Sequence, residues 1–282
     1  MSTRILVFTD IDGTLIDIDN GDYSATKDLI KKLQEMDIPV IFCSNKTEEE
    51  LEKIRRETGL CDPFIVENGG AILIPNNYFQ ISDRENFNKK YSVINNEKYE
   101  KIELGKNIKY VINEIKKIGK KYNIELVGVH DLSDEELAEK MNMDLDSAKR
   151  MRNRQYGETI IEINREKIPD LIKYAKAEGV DVNFGGKFYS AVIGHNKGKA
   201  VAILKDLFRK KYPNENLIFI GVGDSKNDES MLELMDMPLI VQNKDLTWVD
   251  LKIKTIVKVS GIGPLGWKEV YNRIIDIITP KV

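Results

Sequence analysis

The chain has 282 residues, with 46 acids against 43 bases, a formal net charge of -3, two histidines and two cysteines. Two cysteines exclude a disulfide framework and a four-cysteine zinc site, and two histidines leave little for a zinc hydrolase, so any metal should be a hard cation held by carboxylates. A hydrophobic share of 41% and a charged share of 32% describe a core-forming chain of one large or two smaller domains, without the basic excess expected of a nucleic-acid binder.

Ile5 to Thr9 is a short apolar run ending at Asp10, the pattern of a strand buried on both faces. Leu29, Ile30, Leu33 and Met36 follow at helical spacing, and Pro39 opens a second apolar run, Val40 to Cys43, that ends at Ser44. Thr47 and Glu50 form a capping box for a charged helix stopped by Gly59. A third run, Phe64 to Val66, ends in Glu67-Asn68-Gly69-Gly70. Alternating strand and helix predict a parallel α/β sheet.

From about Arg84 to about Val192 the pattern changes. Lys and Asn crowd residues 86–96, and Ile108, Val111, Ile112 and Ile115 mark a helix. A strand-like Ile124 to Val129, a capping box at Ser133 and Glu136, and a helix rich in Met, Lys and Arg follow. Thr159 to Ile163 is strand-like, Ile168 to Ala177 helical, and strands lie around Val180 and Tyr189. This block predicts an α+β unit, residues 84–192, inserted into a core of residues 1–83 and 193–282. The first pattern then resumes: a helix over Lys199 to Lys211, a strand over Leu217 to Val222 ending at Gly223-Asp224, a helix over Glu229 to Met235 and a strand over Leu239 to Val241. No apolar run approaches the ~18 residues of a membrane span. The opening MSTRILVFTD has no signal-peptide pattern, so the expected setting is a reducing cytoplasm.

Asp10 and Asp12, two residues apart in extended chain, project to one face at the carboxyl end of a buried strand, where open α/β sheets bind ligands. Alone, the pair reads more often as a turn and a helix cap. A second acidic cluster, Asp224, Asn227 and Asp228, follows another apolar strand and brings carboxylates to the same sheet edge. Gathered carboxylates repel and raise one another's pKa, a conflict that Mg2+ relieves. Ser44, Asn45 and Thr47 sit where a strand turns into a helix, a place suited to an anion, and Lys197 opens another helix. Taken singly, Ser44 is an N-cap and Lys197 a solvated lysine; their places in the order of elements make both phosphate ligands.

These four motifs, in this order and spanning the whole chain, resemble the haloacid dehalogenase superfamily of phosphohydrolases. The resemblance implies a Rossmann-like parallel-sheet core, and the insertion resembles the C2B cap of the Cof-like branch. By the same resemblance Asp10 would be the nucleophile that forms an aspartyl-phosphate, and Asp12 the general acid and then the base. Asp10, the Asp12 carbonyl and Asp224 would hold Mg2+, supported by Asp228 and Asn227, while Ser44 and Lys197 would hold the phosphoryl group.

Further stretches narrow the resemblance. SNKTEEE, PFIVENGGAI, GPLGW, Arg154-Gln155-Tyr156-Gly157-Glu158 and GGKFYSAVIGHNKGKA resemble the mannosyl-3-phosphoglycerate phosphatases. The implied reaction removes phosphate from 2-O-(mannosyl)-3-phosphoglycerate and leaves mannosylglycerate, a compatible solute. Arg154 would pair with the glycerate carboxylate. Glu158, Glu67 and Asn68 would meet sugar hydroxyls, Gly69 and Gly70 would admit the ligand to the backbone, and Asn45 and Lys46 lie beside the phosphate motif. Gly157 stands where the family pattern has serine, and Ser190 where it has histidine. Blander alternatives place Arg154 on a solvated basic helix face with Lys149, Arg150 and Arg152, make Gly69-Gly70 a simple turn, and leave His130 and His195 structural.

At the level of function, three alternatives remain: a glucosyl-3-phosphoglycerate or broader sugar-phosphate phosphatase, a phosphomutase, and a non-catalytic ligand-binding module. The last predicts loss of at least one of Asp10, Asp12, Lys197 and Asp224, and all four are present. The expected partner is a small phosphorylated sugar-glycerate, with no nucleic acid and no membrane; no feature sets the oligomeric state.

Overall fold

The computed structural model describes residues 2–81 and 84–279. Strand β1 (Thr3–Thr9) explains its own apolar run. Ile5 and Val7 enter one core while Leu6 and Phe8 enter another on the opposite face. Each such side chain, fully buried, contributes about 1.5–3 kcal/mol. Helix α1 (Ser24–Glu35) leads to β2 (Val40–Phe42), and α2 (Glu48–Thr58) has the expected capping box at Thr47 and Glu50 and a left-handed Gly59 at its end.

Strands β3 (Phe64–Val66) and β4 (Ala71–Pro75) are followed by α3 (Arg84–Lys90), β5 (Ser92–Asn95) and β6 (Tyr99–Glu103). They form an antiparallel sheet in the order β3-β4-β6-β5. A bridge between Cys43 and Ile65 joins it to the end of β2. The expected insertion at residue 84 starts beside Ser82 and Asp83, which lie outside the described residues. Within residues 84–103, β6 pairs with β4 and β5 with β6, while Phe87, Tyr91, Val93 and Ile102 join the apolar cluster of Ile72 and Ile74, so this stretch extends the sheet that β3 and β4 begin. β5 lies at the sheet edge with no residue buried.

The next block is a layer of its own. It runs α4 (Ile108–Tyr122), β7 (Leu126–Gly128), α5 (Asp134–Met141), α6 (Leu145–Arg152), β8 (Gly157–Ile163), α7 (Ile168–Ala177), β9 (Asp181–Gly185) and β10 (Phe188–Val192). The strands form an antiparallel sheet, β7-β8-β10-β9, with α4 and α7 packed on it through Val111, Ile115, Ile160, Leu171 and Ala191. The single Met-, Lys- and Arg-rich helix expected from sequence is two helices, because Asn142 turns left-handed and ends α5.

The chain returns through α8 (Lys197–Lys211), β11 (Asn216–Gly223), α9 (Glu229–Leu232), β12 (Met237–Gln242), β13 (Val257–Ile262) and α10 (Trp267–Ile278). The elements read from sequence stop at β12; β13 closes the sheet edge, and Trp267, Val270 and Ile274 of α10 cover one face. The main sheet is parallel throughout, in the order β13-β12-β11-β1-β2. The winding direction reverses between β1 and β11. Such a switch point leaves a crevice at the carboxyl ends of the two strands, and Asp10 and Asp224 follow those two ends.

Candidate active site

Asp10 leaves β1 with its N–H donated to Val222 O of β11 at 2.9 Å, so the two acid-bearing loops start from a shared bond. Gly13 then takes φ +81, and a Cβ there would lie 2.6 Å from Asp224 Oδ2; the close approach requires glycine. Thr14 Oγ1 donates to Asp224 Oδ1 at 3.0 Å. Asp228 Oδ2 accepts from the N–H groups of Asp224 and Ser225, both at 3.1 Å, which folds the second acidic loop onto itself.

Lys197 opens α8 with its ammonium buried between two carboxylates, 2.5 Å from Asp10 Oδ1 and 2.7 Å from Asp228 Oδ1. One cation thus faces three buried carboxylates, since Asp10, Asp224 and Asp228 offer oxygens within 4.8 Å of one another. Burial, then repulsion from Asp228 and Asp12, raises the Asp10 carboxyl to about 7 against the pull of Lys197. Burial and the neighbouring Asp10 and Asp228 push Asp224 well above its ordinary value. Burial would lower the Lys197 ammonium, but Asp10 and Asp228 outweigh it and hold the group charged. An acceptor-only donor set with excess negative charge fits a hard divalent cation. Asp10, Asp224 and Asp228 are the side chains placed to hold one.

Asp12 and Lys46 stand above this floor. Lys46 Nζ lies 3.0 Å from Asp12 Oδ1 and 3.6 Å from Glu50 Oε1. Ser44 is buried at the end of β2, and its Oγ accepts the Lys46 N–H at 3.1 Å. Thr47 N–H is taken by Glu50 at 2.9 Å, so two amides of this turn are already bonded within it. Asp10, Asp12, Ser44, Asn45 and Lys46 line the core side of a cleft of about 520 Å3. Arg150, Arg154, Thr159, Lys187 and Phe188 line its other side. That volume is in the range of small-molecule sites.

The remaining sequence candidates are placed otherwise. Arg154 reaches the cleft, but its guanidinium donates to Gly157 O at 2.7 Å and to both the carbonyl and side-chain oxygens of Asn45 at 2.8 Å. Glu67 is buried beneath the backbone of residues 155–157, and burial lifts its carboxyl above the usual range against the pull of Arg154. Asn68 bonds to Asn45 and Asn227. Gly69 abuts Asn196 O and Gly70 abuts Tyr156. None of Glu67, Asn68, Gly69, Gly70 and Glu158 lines the cleft. Thr159 faces it from β8, and strand alternation turns Glu158 away to accept from His130 N–H at 3.0 Å. Asn227 lines the cleft but has its amide committed to Asn68 and Ser225. Sequence reasoning missed Thr14 and Thr159. Thr14 sits in the first motif, where its spacing was a usable signal; Thr159 needed the register of β8.

Among the described residues no helix is long and apolar enough to cross a membrane. A family model for haloacid dehalogenase-like hydrolases matches residues 7–248. A glucosyl-3-phosphoglycerate/mannosyl-3-phosphoglycerate phosphatase of Methanococcoides burtonii is 36% identical over 275 residues, 97% of this chain and 97% of its own length. A mannosyl-3-phosphoglycerate phosphatase of Pyrococcus horikoshii is 34% identical over 236 residues, 84% of this chain and 90% of its own. A Thermoplasma acidophilum crystal structure shares the fold with a TM-score of 0.64 at 18% identity, covering 98% of both chains. A subclass IIB sugar phosphatase of the superfamily does so at 0.60 and 13%, covering 96% of this chain and 98% of its own.

Proposed function

Because the chain belongs to the haloacid dehalogenase-like hydrolases and is a phosphoric monoester hydrolase, we propose that it dephosphorylates sugar-3-phosphoglycerates, with the mannosyl compound as its substrate. The observation that carries the reading is the assembly of Asp10, Lys197, Asp224 and Asp228 under a cleft whose other walls present Lys46, Arg150, Arg154 and Lys187. A phosphorylated glycerate has two anionic ends, and the cleft walls offer it Lys46, Arg150, Arg154 and Lys187, each now paired with a protein oxygen that the ligand would displace. The glucosyl compound is the second reading, supported by relatives named for both sugars.

Chemistry follows from placement. Asp10 attacks phosphorus in line with the glycerate oxygen. Asp12, at the cleft side of the loop, donates a proton to that leaving oxygen and then accepts one from the water that opens the aspartyl-phosphate. Lys197 and Ser44 hold the equatorial phosphoryl oxygens, where charge concentrates during transfer. Asp10, Asp224 and Asp228 would hold Mg2+, which when bound neutralises phosphoryl and carboxylate charge. The unit above the site, which we place at residues 106–192, excludes bulk water from the reacting face.

Phosphate release from mannosyl-3-phosphoglycerate, glucosyl-3-phosphoglycerate and hexose 6-phosphates, each with and without Mg2+, tests the reading. A higher kcat/KM on hexose 6-phosphates rejects the substrate, and exchange between sugar phosphate isomers without free phosphate rejects the hydrolysis.

A further inference from the structure

The turn after β3 has the least relaxed backbone near the site. Glu67, Asn68 and Gly69 take φ of 47, 56 and 94 in succession. Only glycine adopts such values freely. A Cβ on Gly69 would fall 2.2 Å from Asn196 O, so the turn is also pressed against the loop that carries Lys197. Strained backbone persists where its surroundings over-determine it, and it gathers at functional sites.

Both side chains of the turn are fully engaged, in opposite directions. The Glu67 carboxylate accepts the N–H groups of Gln155 and Tyr156 at 2.8 Å and of Gly157 at 3.0 Å. These three amides follow Arg154 and belong to the unit that covers the cleft. Asn68 works on the core. Its Nδ2 donates to Asn45 Oδ1 at 2.9 Å, and its Oδ1 accepts from Asn227 Nδ2 at 3.2 Å. Asn45 Oδ1 accepts Arg154 Nη2 at 2.8 Å, and Asn227 Oδ1 accepts Ser225 Oγ at 2.6 Å. An unbroken chain of hydrogen bonds therefore runs from the Asp224–Asp228 loop, through the loop after Ser44, to the covering unit.

We propose that Glu67 and Asn68 are positioning residues, two arms of one seat that registers the covering unit against the two phosphoryl-handling loops. Glu67 fixes segment 155–157 to the core, and Asn68 ties the Ser44–Asn45 turn to the Asp224–Asp228 turn. This rests on the phosphatase reading above and replaces, for these two residues, the sugar contacts expected from sequence. Neither residue touches the substrate; each acts through the backbone or amide it holds.

Asn68→Gly is the deciding variant, because glycine keeps the left-handed backbone without strain and deletes only the side-chain bonds. A purely structural role predicts a lower Tm, since Asn45 and Asn227 each lose a partner, with kcat/KM of the folded protein intact. The positioning role predicts a protein that still folds but loses about 10–100-fold in kcat/KM, carried mainly by kcat. Glu67→Gln is expected to speed hydrogen exchange at the amides of Gln155, Tyr156 and Gly157 by about tenfold or more, with β1 and β11 unchanged. Wild-type kcat/KM in Asn68→Gly, wild-type protection of residues 155–157 in Glu67→Gln, or a Tm fall that leaves Asn68→Gly unfolded in the assay overturns the proposal. If the wild-type enzyme turns over no sugar-phosphoglycerate, the substrate reading fails by itself. The exchange measurement, and kcat/KM of Asn68→Gly on p-nitrophenyl phosphate, then still decide this one.

Discussion

The floor beneath the cleft lining and the partly exposed cations of its wall hold charge under opposite conditions. On the floor Asp10, Lys197, Asp224 and Asp228 are 5%, 1%, 4% and 0% exposed, and each is bonded to another member or to its backbone. On the wall Lys187 faces Asp19 at 3.3 Å with both side chains half in water, and Arg150 leans on Ser147 at 2.8 Å. Desolvated charges survive only in mutual compensation, whereas wet ones are screened and replaceable. The difference teaches that burial sets how far a substitution propagates: a change on the floor, or at buried Arg154, disturbs every neighbour, whereas a change at a wet wall cation such as Lys187 disturbs little.

Four experiments press on this contrast. Asp10→Asn should remove turnover by at least about 10^4-fold while the chain stays folded, because Lys197 keeps its bond to Asp228. Phosphate release and a thermal melt on the same sample check it; substantial residual turnover would mean the nucleophile lies elsewhere. Lys197→Met should destabilise the metal-free protein by about 3–5 kcal/mol, as three buried carboxylates lose their cation. Adding Mg2+ should restore part of that stability, and a melt indifferent to Mg2+ would contradict a carboxylate-held cation.

The third experiment uses pH. Asp10 is raised from 3.8 to about 7 in the metal-free protein. Between those values the folded state holds a proton that the unfolded chain has released, so this group makes metal-free stability fall as pH rises through the window. A cation must displace that proton. Mg2+ affinity should therefore rise with pH, with up to about one proton released per ion near pH 6. Calorimetry in buffers of different ionisation enthalpy measures the proton count, and a count of zero counts against the cluster. The smallest effect belongs to the wall. Lys187→Ala should change stability by no more than about 0.5 kcal/mol and raise KM by no more than about fivefold. Loss of activity comparable to Asp10→Asn would erase the distinction between floor and wall.

The same contrast explains which parts of the molecule are legible in its sequence. A buried strand that stops at an acid leaves a local mark, so Asp10, Asp12, Ser44, Lys197 and Asp224 were visible at the ends of apolar runs and helix starts. The parallel core was visible for the same reason. The wall depends on pairings between distant residues. Arg154 meets Asn45 across 109 positions, and Glu67 meets Tyr156 across 89, separations that no local pattern encodes. Residues 84–103 leave no local sign of their sheet because β5 is an edge strand with no buried residue. Strands β9 and β10 were anticipated, but not that their turn at Gly185 and Gly186 comes to rest against Asn227 and Ile18.

Entry to and exit from the covering unit lie side by side. Leu104 and Gly105 both donate their N–H to Gly70 O at 2.9 Å, and His195 Nε2 lies 3.1 Å from Glu67 O. A segment whose two ends meet at one turn can be lengthened, rebuilt or exchanged for another without prying apart the strands beneath. For evolution and for engineering alike, this makes the insert exchangeable: a different one joined at residues 105 and 193 can keep the strands beneath in place, provided it restores the bonds of residues 154–157 to Asn45 and Glu67.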